Sequence, residues 1–566
     1  MNTPRARFIA SCLALGGLLS ASGCRHGAGP SAPAEDADPL QAAVDGIRAE
    51  DIANHVRVLA SDAFEGRFPG SAGEAKTVAY ISAHFARHGL EPAVDGSYLQ
   101  SVPLVSVTLA DQTTAQLTGA DGQARALRVP EDIVIGSASP RARVELADAE
   151  VVFVGHGIVA PEFGWDDYAQ IDVRGKVVLV VPGDPGPARD DATFFEGRAL
   201  TLYGTRSHKA EQAAQRGAVG LLTLHDDDGV GVPWKVLAQG ARRPHQQLDR
   251  DDGPATVAIM GSIPRAGLMA ALDEVSRERF EQARLSAGGQ AFTPHPLPLR
   301  LSASLHRDVE SIVSHNVVGI IRGATRPDEH VIYTAHWDHV GRNDDRPGDG
   351  IYNGAVDNAT GTAALLELAE AYAALPGPAG RSVVLVATTA EEQGLLGAKW
   401  YVDQPVLPLA DAVGVINMDA LFPFGRSLGM TVVALGSSDL DTYMDAAART
   451  VGRRLYPDPA PEYGAFFRSD HYPFARRGVP AIFAVGGPSP DAPDAAQVER
   501  FVEYIQTRYH QVGDEYDAST WDMAGIVQDV TIYFRTGHAI AMDDHRPQWT
   551  PTSPFRARHE ALRAGR

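Results

Sequence analysis

From Asn316 onward the chain repeats one pattern: a short apolar run, a loop, then a segment with helical spacing of its apolar residues. Runs at 331–334, 382–388, 413–417, 430–435 and 481–485 read as strands, and segments at 363–374, 395–402, 440–451 and 527–541 read as helices. Strands alternating with helices argue for an α/β protein, an α/β/α sandwich with a mixed, mostly parallel central sheet. No repeat of about 20–50 residues of the solenoid kind is present.

The preceding residues divide differently. In 45–130, Ile52, Val56 and Leu59 recur at helical spacing, and a second amphipathic helix is predicted over 74–88, with Val78, Ile81 and Phe85 on one face and Gly89 as its stop. This stretch is expected to be the N-terminal part of the main domain. Residues 131–295 carry short β-type runs at 150–154, 177–181 and 221–224 with a helix at 209–215, and read as an inserted β-rich domain. Its His156, His208 and His225 are scattered and are expected to be structural or surface residues. A Pro-rich, polar stretch at 290–299 reads as its exit linker, 296–545 as the catalytic domain, and 546–566 as a tail without periodicity.

The first 24 residues read as an export signal. Arg5 and Arg7 precede an apolar run at 8–19 that is too short to span a bilayer, and Ala21-Ser22-Gly23-Cys24 resembles a bacterial lipobox, with Ala21 where Leu is favoured. The expectation is an exported lipoprotein, anchored through Cys24 and tethered by the flexible stretch 25–44. Cys12 and Cys24 are the two cysteines of the chain, so the mature protein has no internal disulfide and no thiol nucleophile. The formal net charge of −21 argues against a nucleic-acid partner, which would need a basic face.

Four runs in the C-terminal part place acids or a histidine at or just after a strand end: Ala335-His336-Trp337-Asp338-His339, Ala355-Val356-Asp357-Asn358, Thr389-Ala390-Glu391-Glu392 and Asn417-Met418-Asp419. In an open α/β sheet, ligands bind outside the carboxyl ends of the strands, so these groups would converge on one crevice. Each run alone has an ordinary explanation; acids at a helix start, for example, compensate its dipole. Together they offer imidazole and carboxylate ligands suited to zinc.

These runs resemble the zinc exopeptidases related to aminopeptidase Y, bacterial leucyl aminopeptidase and glutamate carboxypeptidase. The likeness continues through Tyr352-Asn353-Gly354, Thr360-Gly361, Gln393-Gly394-Leu395-Leu396-Gly397, Ser469-Asp470-His471 and Tyr509-His510-Gln511. The resemblance implies two zinc ions per chain, with Asp357 bridging them. His336 and Asp419 would complete one site, and Glu392 and His510 the other. It also implies Glu391 as general base, Asp338 as acceptor of a hydrogen bond from the His336 imidazole, and Tyr509 as donor to the oxyanion. The partners implied are peptide substrates, cleaved most simply from the N-terminus. Val356 departs from the family, where a second acid often stands beside the bridging Asp. Within 131–295, Val154-Gly155-His156-Gly157-Ile158, Gly164-Trp165-Asp166-Asp167-Tyr168 and Ala213-Ala214-Gln215-Arg216-Gly217-Ala218 resemble a protease-associated domain.

Three other readings share this text. A carboxypeptidase for acidic C-terminal residues would need a basic group for the free carboxylate, with Arg468 and Arg342 as candidates. An inactive receptor-like module would be expected to have lost a ligand or the base. A glutaminyl-cyclase-like acyltransferase would work with one zinc. Ser469-Asp470-His471 is not read as a hydrolase triad, because no Gly-x-Ser-x-Gly elbow surrounds Ser469.

Overall fold

The computed structural model describes residues 38–565, apart from 189–190, 192, 227–231, 251–255 and 290–291. Cys24, the signal, most of the tether and Gln290 lie outside the described residues. Among those described, no helix is long and apolar enough to cross a membrane.

Four parallel strands form the centre of the main sheet, in the order Arg381–Thr388, Arg326–His336, Ala412–Asn417, Ala481–Gly487. Antiparallel neighbours extend it on both sides: His295–Ile321 and then Leu99–Leu109 beyond Arg381–Thr388, and Gly429–Val433 beyond Ala481–Gly487. All residues of Arg381–Thr388 and of Ala412–Asn417 are buried. Such strands carry near-continuous apolar runs because both faces are covered. Successive side chains alternate between two cores. Val331, Tyr333 and Ala335 pack with the helices Ala49–Leu59, Ala72–Arg87, Thr360–Ala373 and Ala524–Met542. Ile332 packs on the opposite face with Leu396–Asp403 and His471–Arg476. This is the predicted α/β/α sandwich.

The predicted exit linker is corrected. Residues 295–299 open a 27-residue strand, His295–Ile321, whose first half pairs with insert strands Thr114–Thr118 and Arg143–Phe153 and whose second half pairs with Leu99–Leu109 and Arg381–Thr388. The burial of 295–307 alternates along the strand, a period-2 pattern that the prolines at 296 and 298 obscure. One strand therefore belongs to both sheets. The insert sheet also recruits Thr114–Thr118 and Ala124–Leu127, upstream of the expected boundary at 131, while His245–Leu248 returns to pair with Leu99–Leu109 in the main sheet. The insert core is built on Phe153, Val177, Leu179, Leu222 and Ile259.

The expected tail is also corrected. Trp549 is fully buried and donates from Nε1 to Gly478 O at 3.1 Å, Phe555 stacks on Phe466, and Arg556–Ala564 is a helix. Two aromatic anchors separated by turns leave no periodic trace, so periodicity missed them.

Candidate metal centre

The carboxyl ends of adjacent strands bring the site together. His336 ends its strand in register with Thr388, and Thr334 with Asn417, so the three runs that follow leave the sheet side by side. Asp357 arrives on the loop before Thr360–Ala373. Asn358 ties that loop to the next: its Oδ1 accepts the N–H groups of Gly361 and Ala420 at 2.9 and 3.2 Å, and its Nδ2 donates to Met418 O at 3.0 Å. Gly354 adopts φ +56°, and a Cβ there would lie 2.3 Å from Asp357 O and 2.5 Å from the His339 ring, so a side chain is excluded.

Asp357 faces two ways. Its Oδ1 is 3.3 Å from His336 Nε2, and its Oδ2 is 3.1 Å from His510 Nε2. His336 Nε2 also lies 3.2 Å from Asp419 Oδ1 and 3.9 Å from Glu391 Oε2. His510 Nε2 lies 3.0 Å from Glu392 Oε2. The five predicted ligands thus form two groups that share one carboxylate. Of the predicted catalytic residues, Glu391 borders the His336 group, and Tyr509 stacks on the His510 ring with centroids 3.9 Å apart.

The arrangement demands positive charge. Burial alone would lower His336, but Glu391, Asp419 and Asp357 hold it well above its ordinary value. Burial likewise opposes protonation of His510, yet its hydrogen bonds with Asp357 and Glu392 push it up to about 10. Divalent cations would meet the same demand. His339 gives independent support. It is buried, its Nδ1 lies 2.7 Å from Glu392 Oε1, and neither ring nitrogen nor that oxygen has a well-directed hydrogen bond. Buried polar atoms left this way are costly unless a ligand satisfies them. Asp357, Glu392 and His339 also satisfy the proximity expected of metal ligands, as do His336, Asp357 and Asp419. The donor set of imidazoles and carboxylates fits zinc.

Asp338 is placed differently from expectation. His336 Nδ1 lies 3.2 Å from the Asp338 backbone carbonyl and 3.8 Å from its carboxylate. The carboxylate instead accepts the N–H groups of Glu391 and Glu392, at 3.0 and 3.4 Å, and so fixes the turn that separates the two glutamates. Burial pushes Asp338 up to about 8, against the nearby His336.

Several supporting residues stand in runs noted in the sequence, without the partners that the structure gives them. Ser469 Oγ donates to Asp419 Oδ2 at 2.5 Å and accepts from Asn417 Nδ2 at 2.6 Å, which positions the Asp419 carboxylate and gives the Ser469-Asp470-His471 run a use other than a triad. Arg67, 1% exposed, donates to the carbonyls of Leu59, Trp337, Asn353 and Gly354 at 2.6–2.8 Å, joining the N-terminal segment to two site loops. From the insert, Gln246 N–H donates to the side chain of Gln393, next to Glu392, at 3.0 Å. The carboxyl and amide spacing that would reveal these pairs is long-range, so the local pattern is silent about them. Of the two candidate carboxylate binders, Arg342 pairs with Asp344 at 2.6 Å, whereas Arg468 is exposed beside Ser469 and acts on Tyr509 electrostatically.

Comparison with known proteins gives a match of residues 316–535 to the profile of peptidase family M28. The chain is 29% identical over 268 residues to mouse aminopeptidase NAALADL1, covering 39% of this chain and 34% of that protein. It is 25% identical over 320 residues to a glutamate carboxypeptidase 2 homolog of Caenorhabditis elegans, covering 49% and 38%. Aminopeptidase YwaD of Bacillus subtilis (strain 168) is 22% identical over 481 residues, 82% of each chain. The chain spans little more than a third of the first two relatives. Among solved structures, the aminopeptidase from Aneurinibacillus sp. strain AM-1 aligns over 89% of this chain and 96% of its own, at 19% identity and a TM-score of 0.49.

Proposed function

We propose, from the match of residues 316–535 to peptidase family M28, that the chain is a dizinc aminopeptidase that releases single N-terminal residues from peptides. The observation that carries the reading is the Asp357 carboxylate, with one oxygen toward the His336 and Asp419 group and the other toward His510 and Glu392. His336, Asp357 and Asp419 would hold one zinc, and Asp357, Glu392 and His510 the other, with His339 against Glu392.

Zinc, when bound, supplies a water pKa lowered to about 7 and polarises the scissile carbonyl. The chain supplies the proton transfer. Glu391 stands beside the centre without belonging to either ligand group. Burial, then Asp419 and Glu392, push its carboxyl well above the ordinary range, with His336 opposing. A base tuned upward is suited to taking a proton from the attacking water and returning it to the leaving amine. Burial, with Asp357 and Glu392 nearby, raises the Tyr509 phenol, so it stays protonated as a donor to the developing oxyanion.

Mass spectrometry of peptide digests by the zinc-loaded protein tests the reading. Release of one residue from free N-termini, and none from acetylated peptides, is expected; equal rates on both would refute it. The second reading, carboxypeptidase activity, is favoured by the exposed Arg468 beside the centre and predicts release from the C-terminus. We also infer export as a lipoprotein from the 1–24 segment; a mature N-terminus carrying an unmodified Cys24 would contradict it.

A further inference from the structure

Away from this centre, the helices Ala49–Leu59, Ala72–Arg87 with its C-cap His88, and Thr360–Ala373 gather three imidazoles and two carboxylates. His84 and His88 lie one turn apart, with ring centroids separated by 4.4 Å. His88 Nε2 is 3.9 Å from Glu370 Oε2, and one donor atom each from His84, His88 and Glu370 falls within 4.8 Å of the others. Beneath them, His55 packs edge-on against His84 at 4.8 Å, and its Nε2 lies 3.8 Å from Glu367 Oε1. Glu367 is 1% exposed, and that oxygen has no hydrogen-bond partner. A buried carboxylate oxygen in that condition is costly, and positive charge delivered nearby relieves it.

We propose that His84, His88 and Glu370 form a third metal site, for a borderline divalent cation such as zinc, with His55 and Glu367 as its outer partners. Histidines at i and i+4 present their rings on one helix face, a spacing that suits a shared metal ion. A proton on His84 Nε2, donated to the Leu366 carbonyl at 3.2 Å, leaves Nδ1 with its lone pair for the metal. Zinc bonds of about 2.0–2.1 Å place tetrahedral ligand atoms about 3.4 Å apart, so closure asks for a movement of about 1 Å. Glu370, 40% exposed in its side chain, is free to make it, and His88, 18% exposed, leaves the site open to an entering ion.

The ion would clamp Ala72–Arg87 to Thr360–Ala373, the helix that begins three residues after Asp357. It would tie the N-terminal segment to the element that positions the bridging carboxylate, from a site distinct from that carboxylate. Because it binds the folded state, it would also raise thermal stability with zinc concentration.

The test is metal content of the full chain, saturated with zinc and freed of excess, compared with His88→Ala and Glu370→Gln. Both changes are at partly exposed side chains. Each variant should carry one zinc fewer than the wild type, and each should lose the part of the zinc-dependent rise in melting temperature that the site provides. The readout is the difference of one equivalent, so it stands apart from the number of ions at the Asp357 centre. Equal zinc content in the wild type and both variants would overturn the proposal.

Discussion

Asp514 grips the Asp357 loop by its backbone: the two oxygens of its carboxylate accept the N–H groups of Val356 and Asp357, at 3.0 and 3.1 Å. Its own carbonyl accepts Ala355 N–H at 3.0 Å, and Tyr504 donates to Oδ2 at 3.2 Å. The segment that carries His510 thus also holds the loop that carries Asp357. An asparagine at 514 has one acceptor oxygen and would turn an NH2 toward one of the two N–H donors. Asp514→Asn should therefore weaken zinc binding by about 10–100-fold, the usual cost of losing such a support. Competition with a chelator of known affinity measures it.

The adjacent glutamates should separate cleanly. Glu392 Oε2 is 3.0 Å from His510 Nε2, whereas Glu391 borders the His336 group. Glu391→Gln cannot accept the proton, so kcat should fall by about 10²–10⁴-fold or more with zinc content intact. Glu392→Gln should lose zinc and activity together. Near wild-type turnover in Glu391→Gln, measured beside zinc content, would remove the base from this account.

Arg67 should matter through carbonyls, not charge pairs. Its guanidinium reaches the carbonyls of Leu59, Trp337, Asn353 and Gly354, all within buried surroundings. Arg67→Met would take a donor from all four carbonyls, and only Gly354 O keeps another within the turn, from Ala359 N–H at 3.1 Å, so a loss of about 3 kcal/mol or more is expected. Chemical denaturation of the two proteins at matched zinc checks it.

His156 offers a pH-dependent test in the insert. Burial, then the nearby Lys209, push it down to about 3 from an ordinary 6.5. The unfolded chain takes up a proton near 6.5 that the folded chain refuses, so the stability linked to neutral His156 is complete above about 6.5 and is lost as pH falls toward 3. His156→Gln keeps a donor for Gly183 O, now 3.1 Å from Nδ1, but does not titrate. The acid-side fall of the denaturation midpoint should be shallower in the variant, with zinc content unchanged. A parallel fall in both proteins would contradict the burial argument.

The α/β/α sandwich was legible because its central strands are continuous apolar runs and its helices keep a period near 3.6. The convergence of Asp357, Glu391, Glu392 and Asp419 was legible because each follows a strand or precedes a helix in a recognisable run. His339 stood in one of those runs without a role, since its approach to Glu392 depends on the turn at Gly354. Asp514 and Arg67 could not be read locally, because each acts on backbone groups distant in sequence. The long strand His295–Ile321 was mistaken in part for a linker because Pro296 and Pro298 interrupt its alternation. Trp549 and Phe555 were missed because their burial depends on meeting Gly478 and Phe466.

The shared carboxylate of Asp357 is most directly tested by anomalous diffraction at the zinc edge from crystals of the zinc-loaded protein. Two peaks about 3.5–4 Å apart are expected, one on the side of His336 and Asp419 and the other on the side of Glu392 and His510, with Asp357 between them. A single peak at this centre, or two ions that Asp357 does not join, would contradict the account.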